Sequence, residues 1–466
     1  MNKLGDHAVV LGASMGGLFG AAVLADFYDR VTLVERDALC DGSAPRRGVP
    51  QWRHPHALLA RGAQTLEELF PGILEQLVAE GAPVWRDGDL SRLHTSFGGH
   101  RMVPTGQSPL AGNWIGMYQP SRPLLEAQVR RRVAELPNAT ILDRREVLGL
   151  VAGDDGRRVT GVRIATADGG EQVLTADLVL DAMGRAAHTP AFLESLGYER
   201  PPEDHIAVRT TYVSQSLRLP AGALSQEVVL IGPAPGRPTG MAMNHNENDT
   251  WIFTVFGMCG RQPPRGLTGM LAYAADFAPP HVLAAVAAGE PLAPVVQHRL
   301  PSSQWRRYDK MRRFPDGLLV TGDAMCSFNP IYGQGMSVAA MEALALRSAL
   351  RRGDTALSRR YFHAAAKAIG VAWRLGAGSD LAFPEVVGRR SIATRLTQRY
   401  SDWVLRACES DAAVHAQFMK VTGLVDPPAS LFDPRFVGRV AAVNRRRRTE
   451  ASRAVTAPEA AAAARA

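Results

Sequence analysis

The chain has 466 residues, of which 46% are hydrophobic and 21% charged, a composition typical of a globular protein with two or three domains. Its four cysteines stand apart without a C-x-x-C pair, which argues against a disulfide scaffold, a zinc site or an iron–sulfur cluster. No signal peptide is recognised, and no apolar run approaches the roughly 18 residues that span a bilayer. We therefore expect a soluble, cytoplasmic protein with no integral membrane segment and no bound metal.

The formal net charge of +8 raises the question of nucleic-acid binding. Part of the excess lies in one run, Arg445 to Arg448, and the rest is dispersed along the chain. No aromatic residues alternate with these basic residues, and no nucleic-acid-binding motif accompanies them. We interpret the charge as a solvated basic face, with no nucleic-acid partner. The alanine-rich stretch at 449–466 predicts a disordered tail.

The first elements of the chain predict a βαβ unit. An apolar strand at 7–11 leads through a glycine-rich turn into a helix at 18–27, and a second strand at 31–34 ends at Glu35. Glycines let a backbone approach a pyrophosphate, and the N-terminus of a helix offers unpaired N–H groups to it. An acid at the end of the second strand can accept hydrogen bonds from ribose hydroxyls. Strand, turn, helix and acid together predict a dinucleotide-binding site, although Ser14 replaces the middle glycine of the usual motif.

Further along the chain, helices are predicted at 57–69 and 122–136, the second with Ser121 as its N-cap. Alternating or apolar runs then predict two groups of strands. The first group lies at 146–151, 158–167, 171–175 and 178–181. The second group lies at 208–217, 227–231, 239–243 and 251–256, and the piece at 87–117 is expected to join its sheet.

A second motif indicates which dinucleotide would bind. A buried strand at 318–320 runs into Gly322-Asp323, and a glycine-rich segment at 329–335 then opens a long helix at 335–350. An acid at the end of a strand can hold ribityl or ribose hydroxyls, and the positive end of a helix can face the N1–C2=O edge of a flavin. Two such elements in this order favour a flavin over a nicotinamide. The rest of the chain to about 443 is predicted to be helical, with breaks at Gly376, Pro384 and Pro427-Pro428.

These motifs, together with Arg46-Arg47-Gly48-Val49-Pro50-Gln51 and Ser121-Arg122-Pro123-Leu124-Leu125-Glu126, resemble those of the group A FAD-dependent monooxygenases of the para-hydroxybenzoate-hydroxylase-like fold. Within that group, the segments at 47–56 and 329–336 look most similar to bacterial epoxidases of polyether-antibiotic biosynthesis, which are related to squalene epoxidase. The resemblance implies an α/β (α+β) fold with a Rossmann-like FAD-binding domain, a mixed β-sheet substrate domain and C-terminal helices.

The resemblance also implies domain boundaries and cofactor contacts. The FAD-binding domain would comprise 1–86, 118–200 and 291–375, the substrate domain 87–117 and 201–290, and the C-terminal helical region 376–448. The implied contacts with FAD are Gly12, Ser14, Met15, Gly16 and Gly17 at the pyrophosphate, Glu35 and Arg36 at the adenosine, Arg46 near the isoalloxazine end, Arg122 at the ribityl–phosphate region, Val147 at the adenine, Asp323 at the ribityl or diphosphate, and Pro330, Gly333, Gln334, Gly335 and Met336 around the flavin ring. The segment Asp181-Ala182-Met183-Gly184-Arg185 departs from the Asp-Gly of many relatives.

The activity that the resemblance implies is NAD(P)H-dependent and oxygen-dependent. NADPH or NADH, or a partner flavin reductase, would reduce FAD, and oxygen adding at flavin C4a would give a hydroperoxide that epoxidises an alkene of a large apolar natural product such as a polyene or terpenoid. No side chain is named as catalytic. Alternatives are an aromatic polyketide hydroxylase, an FAD-dependent reductase of isoprenoid double bonds and a flavoprotein without catalytic activity. A halogenase is disfavoured because the expected Trp-x-Trp-x-Ile-Pro segment is missing.

Five residues of the second group of strands are candidates for the substrate pocket: Tyr212, Met241, Met243, Thr254 and Phe256. Their alternation places the two methionines on one face of their strand, where they could line an apolar pocket or pack in the core. His54 and His56 lack a third ligand in sequence, so we expect structural or flavin-adjacent hydrogen bonds from them rather than metal binding.

Overall fold

The computed structural model describes residues 3–39, 42, 46, 48–56, 58–111, 116–166, 169–388 and 390–463, and within these ranges the chain forms twelve α-helices and twenty-one strands. Arg47 of the 46–51 motif, Ala57 at the predicted start of the second helix, and 464–466 of the predicted tail lie outside the described residues. The helices are α1 (Met15–Leu24), α2 (Ala60–Leu69), α3 (Ile73–Ala79), α4 (Arg122–Ala134), α5 (Thr189–Ser195), α6 (Leu267–Ala274), α7 (Pro280–Ala287), α8 (Gly335–Leu350), α9 (Leu357–Asp380), α10 (Ile392–Cys408), α11 (Ala412–Thr422) and α12 (Pro434–Ala463).

The strands assemble into five sheets within those ranges. In chain order they are β1 (Gly5–Leu11), β2 (Tyr28–Val34), β3 (Val84–Trp85), β4 (Leu93–Phe97), β5 (His100–Arg101), β6 (Met117–Tyr118), β7 (Ala139–Leu142), β8 (Val147–Ala152), β9 (Val159–Ala165), β10 (Glu171–Thr175), β11 (Leu178–Asp181), β12 (Glu203–Ile206), β13 (Thr210–Arg218), β14 (Val228–Ile231), β15 (Thr239–Asn246), β16 (Thr250–Gly257), β17 (Glu290–Pro291), β18 (Val296–Leu300), β19 (Ser303–Arg306), β20 (Leu318–Val320) and β21 (Cys326–Ser327).

A parallel sheet of order β20-β11-β1-β2-β7 carries the glycine turn. Its central strand is almost entirely apolar after His7, and Val9 pairs in register with Val179 on one side and Thr32 on the other. A strand buried on both faces reads as a continuous hydrophobic run, which is why β1 and β20 were recognisable from sequence. The predicted strand–turn–helix–strand unit at the N-terminus is confirmed, and the ends of β1 and β20 meet at the same edge of the sheet.

An eight-stranded sheet forms the second part of the fold, in the order β17-β13-β16-β15-β14-β4-β5 with β18 paired to β13. The strand β4 lies beside β14, so the piece at 87–117 contributes to this sheet as expected. One face of the sheet packs against α6 and α7 in an apolar core that includes Met270 and Val282. The other face is free to line a cavity.

One prediction for the C-terminal region is wrong. The helix α9 passes through Gly376 without a break, because a Cβ there would lie 3.3 Å from the ring of Tyr332, so the glycine permits close packing at the modest helix cost of about 1 kcal/mol. The backbone of α12 continues to Ala463, in keeping with alanine being the strongest helix former, and the disorder of the tail stays a prediction. Among the described residues no helix is both long and apolar enough to cross a membrane.

Candidate active-site cavity

A cavity of about 1510 Å³ lies between the parallel sheet, the free face of the eight-stranded sheet and the C-terminal helices. Sites for one small ligand occupy roughly 300–1,000 Å³, so this volume can hold a large ligand together with a second one. Fifteen of the sixteen predicted cofactor residues line it: Gly12, Ser14, Met15, Gly16, Glu35, Arg36, Arg46, Arg122, Val147, Asp323, Pro330, Gly333, Gln334, Gly335 and Met336. The structure thus brings together residues separated by more than three hundred positions.

The remaining predicted cofactor residue, Gly17, lies outside the cavity. A Cβ at Gly17 would fall 1.8 Å from the carbonyl oxygen of Gly12, so this glycine allows α1 to approach the turn and does not face a ligand. Gly12 itself has a φ of +97°, in the region that favours glycine, and a Cβ there would lie 2.7 Å from the Ala182 carbonyl oxygen. Gly17 therefore has a packing role, and its predicted contact with the pyrophosphate stays a prediction.

Arg46 lies beside the glycine turn. Its guanidinium pairs with the Glu35 carboxylate at 2.5 Å, donates to the Ala13 carbonyl oxygen at 2.9 Å and pairs with the Glu126 carboxylate. Its remaining partner within the described chain is the Asp37 carboxylate. These carboxylates hold the arginine at the turn, and its expected place near the isoalloxazine end stays a prediction.

Glu126 is a site residue that the sequence analysis did not single out. It stands one turn after Arg122 on α4, and Arg122 donates to its carboxylate at 3.2 Å and to the Ser14 hydroxyl at 2.8 Å. Burial by itself would raise the pKa of Glu126, but the guanidinium groups of Arg122 and Arg46 outweigh burial and the pKa is lowered. The i, i+4 spacing of Arg122 and Glu126 was the signal that could have found it.

Asp323 follows β20 and faces the cavity close to the start of α8. Its carboxylate accepts no hydrogen bond from any described residue. Burial raises its pKa, although the positive charges of Arg122 and Arg185 act to lower it. Gly335, the first residue of α8, lies in ordinary contact, since a Cβ there would be 4.0 Å from Asp323 Oδ1. A partnerless carboxylate next to a helix N-terminus is suited to a ligand that offers hydroxyl donors beside an anionic group.

The residues of segment 181–185 have two different roles, one buried behind the cavity wall and the others in the wall itself. Asp181 is fully buried, accepts a hydrogen bond from Met183 N at 2.8 Å and binds the Thr189 hydroxyl, and burial raises its pKa. The following residues to Arg185 line the cavity, and Arg185 donates to the Ser302 carbonyl oxygen at 2.7 Å. Asp181 therefore supports this wall from behind and does not reach the cavity.

Glu342 on α8 holds the turn that presents Asp323. Its Oε2 accepts hydrogen bonds from Gly322 N at 2.6 Å and from the Thr321 hydroxyl at 2.8 Å, and only 1% of the residue is exposed. Burial raises its pKa to about 7. The signal that could have found it is an acidic residue in the middle of a helix made mainly of small and apolar residues.

We expect the buried Glu342 to make the protein less stable as pH rises. Because its folded pKa of about 7 exceeds the ordinary value of 4.5, ionisation favours the unfolded chain between those two pH values, by on the order of 3 kcal/mol in all. In Glu342→Gln, the unfolding free energy should no longer show this part of its decrease between pH 4.5 and pH 7, as measured by denaturant titration at the two pH values. Asp380→Asn is the comparison, with a smaller effect because burial raises the Asp380 pKa only to about 6. An unchanged slope in Glu342→Gln would contradict the assignment.

The free face of the eight-stranded sheet forms the other half of the cavity. Of the predicted pocket residues, Tyr212, Thr254 and Phe256 line it. Met241 and Met243 are wrong as pocket residues, because they point to the opposite face and pack in the core with α6 and α7. Their neighbours Ala242 and Asn244 face the cavity instead, as the alternation of a strand requires.

Uncharged polar groups are clustered on this face. His54 Nδ1 lies 2.7 Å from the Ser214 hydroxyl, which in turn contacts the Thr254 hydroxyl. The His54 ring lies 5.9 Å from both the Tyr212 and the His298 rings, centroid to centroid. Burial lowers the pKa of His54 to about 4, so the imidazole is neutral at neutral pH.

A second hydrogen-bonded chain ties the 329–335 loop to α9. The Asp380 carboxylate accepts from Tyr332 Oη at 2.7 Å and from Asn329 Nδ2 at 3.0 Å, and Tyr212 Oη donates to Asn329 Oδ1 at 3.3 Å. Asp380 is one residue that sequence reasoning missed, because its partners lie about fifty positions away in the chain. It links the C-terminal helices to both halves of the cavity.

The chain is similar in sequence to a known protein. Protein Rv3254 of Mycobacterium tuberculosis is 37% identical to it over 451 residues, which cover 95% of this chain and 94% of that protein. The chain belongs to the family of protein Rv3254. No protein-family model matches it.

Solved structures show the fold of this family member. The probable FAD-dependent monooxygenase PqsL from Pseudomonas aeruginosa aligns with a TM-score of 0.58 at 17% identity, covering 81% of this chain and 97% of that one. The p-nitrophenol 4-monooxygenase PnpA from Pseudomonas putida aligns with a TM-score of 0.64 at 15% identity, covering 92% of this chain and 100% of that one. The predicted fold, that of the FAD-dependent monooxygenases, is confirmed.

Proposed function

We propose that the chain is an FAD-dependent monooxygenase that epoxidises an alkene of a large apolar natural product. The observation that carries the proposal is one continuous cavity, in which a dinucleotide cradle opens directly onto an uncharged pocket on the sheet. A cofactor bound in the cradle would reach a substrate in the pocket without leaving the protein. The likeness in fold to FAD-dependent monooxygenases supports the same reading.

The residues in the cradle fit FAD. The glycine turn and the N-terminus of α1 provide backbone N–H groups where a pyrophosphate would lie, and a Cβ at Gly16 would project toward the Gly322 backbone at 3.7 Å. Asp323, a carboxylate without a hydrogen-bond partner among the described residues, would accept hydrogen bonds from ribityl hydroxyls. Arg122 supplies a positive charge between Ser14 and Asp323.

When bound, FAD would supply electron transfer from a nicotinamide and the activation of oxygen. The protein would supply position, charge and exclusion of water. The N-terminus of α8 at Gly335 would stabilise negative charge on the cofactor ring, and the 330–336 loop, tied to Asp380, would hold that ring against the pocket. NAD(P)H or a partner flavin reductase would deliver the electrons, and oxygen would be the second substrate.

The pocket supports an apolar substrate with few charges. Its walls include Leu230, Phe256, Leu300, Phe328 and Phe383. The Thr254 hydroxyl and neutral His54, which line the cavity and are both bonded to the Ser214 hydroxyl behind them, are suited to an uncharged oxygen of the substrate rather than to a carboxylate or phosphate. A pocket with large apolar walls and a few neutral polar groups favours a polyene, terpenoid or polyketide substrate.

The visible spectrum of the purified protein tests the cofactor. A flavin spectrum that bleaches with NADPH under anaerobic conditions and returns in air is expected, and oxygen-isotope label from O₂ should appear in the epoxide product. Product formed without oxygen would replace this function with an FAD-dependent reductase. A colourless protein that FAD cannot reconstitute would overturn the proposal altogether.

Narrowing the pocket on the sheet should weaken substrate binding without weakening FAD binding. Ala242→Phe places a ring on the cavity face of β15, opposite Thr254, so we expect FAD binding to be kept while binding of apolar ligands falls by at least about tenfold, or about 1.4 kcal/mol. Flavin fluorescence and ligand titration measure the two effects. Ala242→Ser is the control and should change neither. Equal loss of both ligands would show that the halves are not independent.

A further inference from the structure

Exposed hydrophobic side chains are concentrated at one corner of the molecule. Of the seven large hydrophobic residues exposed in the described chain, four lie there: Val387 at 78%, Ile392 at 71%, Leu396 at 59% and Phe432 at 56%. We call these four residues the corner patch. Scattered exposed hydrophobics are normal, but a contiguous group of them marks an interaction surface.

Three members of the corner patch are joined through α10, and the fourth, Val387, precedes that helix in the chain. Ile392 and Leu396 stand one turn apart on α10, and Tyr400 follows one turn later. The Tyr400 ring stacks on Phe432 with 4.6 Å between centroids. Val387 precedes α10 in the segment that leads into it. Ile392, Leu396 and Tyr400 therefore form an apolar line along α10, with Phe432 stacked at its end.

Arginines accompany this line. Arg395 and Arg399 lie on the same side of α10 as Ile392 and Leu396, both are exposed, and neither forms an ion pair within the described part of the chain. Arg435 is also exposed, three residues after Phe432. The carboxylate of Asp402, further along α10, does not neutralise these arginines, because it pairs with Arg406 at 3.0 Å. The surface thus combines apolar side chains with an excess of unpaired positive charge.

The opposite side of α10 belongs to the cavity. Thr394, Thr397, Gln398 and Ser401 line it, and Thr397 and Ser401 are also exposed, which places them at the rim of an opening. Helical periodicity puts these residues about half a turn away from Ile392 and Leu396. One helix therefore carries the corner patch and forms part of the cavity rim, and the exposed Arg399, on the patch side, also lines the cavity.

We propose that the corner patch docks the protein on an anionic lipid surface. Aliphatic side chains beside arginines are the composition of helices that lie in the interface of a bilayer, where the apolar groups insert and the guanidinium groups meet lipid phosphates. A lipid surface is favoured over an acidic protein because the opening beside it leads to an apolar pocket, an argument that rests on the proposed function. An apolar substrate dissolved in the bilayer would then enter the cavity along α10.

Co-sedimentation of the full chain with vesicles tests this surface. We expect binding to vesicles of equal parts phosphatidylcholine and phosphatidylglycerol and little binding to phosphatidylcholine alone. Arg395→Gln/Arg399→Gln should bind about thirty-fold more weakly, since each arginine near an anionic surface contributes about a factor of five. Ile392→Ser/Leu396→Ser should also lose binding, whereas Val173→Ser/Leu292→Ser, which alters exposed hydrophobics outside the corner patch, should bind as the unchanged protein does.

Several outcomes would overturn the proposal. No binding to anionic vesicles, equal binding to uncharged ones, or full binding by both corner-patch variants would each do so. Protection of α10 from hydrogen exchange by a purified acidic protein, in the absence of vesicle binding, would identify a protein-docking surface instead. The vesicle assay needs neither substrate nor turnover, so its failure leaves the proposed oxygenase untouched, and loss of FAD binding leaves the vesicle result unaffected.

Discussion

Gly17→Ala is expected to destabilise the protein by about 3 kcal/mol or to prevent folding, in spite of the better helix propensity of alanine. The added Cβ would meet the Gly12 carbonyl oxygen at 1.8 Å, and neither the turn nor α1 can retreat, because both are packed against the parallel sheet. The free energy of unfolding, measured by denaturant titration, reports the effect.

Gly16→Ala is the matched control one residue earlier. A Cβ at Gly16 has its nearest neighbour at 3.7 Å, so stability should be unchanged. Because Gly16 lines the cavity, the methyl group would stand between the backbone and the cofactor pyrophosphate, and FAD should bind at least about tenfold more weakly. Equal stability of the two variants would contradict the packing role of Gly17, and unchanged FAD affinity in Gly16→Ala would contradict the cradle.

Arg46→Met is expected to lower the free energy of unfolding by about 3 kcal/mol at neutral pH. Removing one partner of a buried ion pair leaves the other charge uncompensated, and here Glu35 would lose its guanidinium while Glu126 would keep only that of Arg122 among its two close partners. Only 5% of the Arg46 side chain is exposed, so water cannot replace it. Methionine preserves most of the volume and limits the effect to charge.

The pH dependence of this loss has a definite sign. Since Arg46 helps to lower the pKa of Glu126, its contribution is present above the ordinary glutamate pKa of about 4 and disappears as pH falls through the lowered value. The difference between Arg46→Met and the unchanged protein should therefore shrink in acid. Arg92→Met is the control: Arg92 also pairs with two carboxylates, but 27% of its side chain is exposed, so it should cost at most about 1 kcal/mol. A loss in Arg46→Met no larger than that would refute the buried cluster.

The local sequence was informative wherever structure depends on neighbouring residues. The apolar run of β1, the glycine turn and the acid at the end of β2 follow one another within about thirty positions, and their order admits one supersecondary unit. The same holds for β20, the Asp323 turn and α8, whose bounds were predicted to the residue. The alternation in β15 correctly put Met241 and Met243 on one face.

Tertiary packing decided which face of β15 lines the cavity and which distant charged groups form a cluster. Alternation separates the two faces of β15 but does not say which one α6 and α7 will cover, so the methionines were assigned to the wrong side. The charge cluster around Arg46 was not predicted, because its carboxylates come from the segment after β2 and from the distant helix α4. Glu342 and Asp380 matter through partners about twenty and fifty positions away. The sequence alone determined the dinucleotide-binding unit, because local spacing and glycine conformations leave it little choice. Only the tertiary structure decided what the cavity contains, because burial and electrostatic pairing between distant segments exist only after the chain has folded.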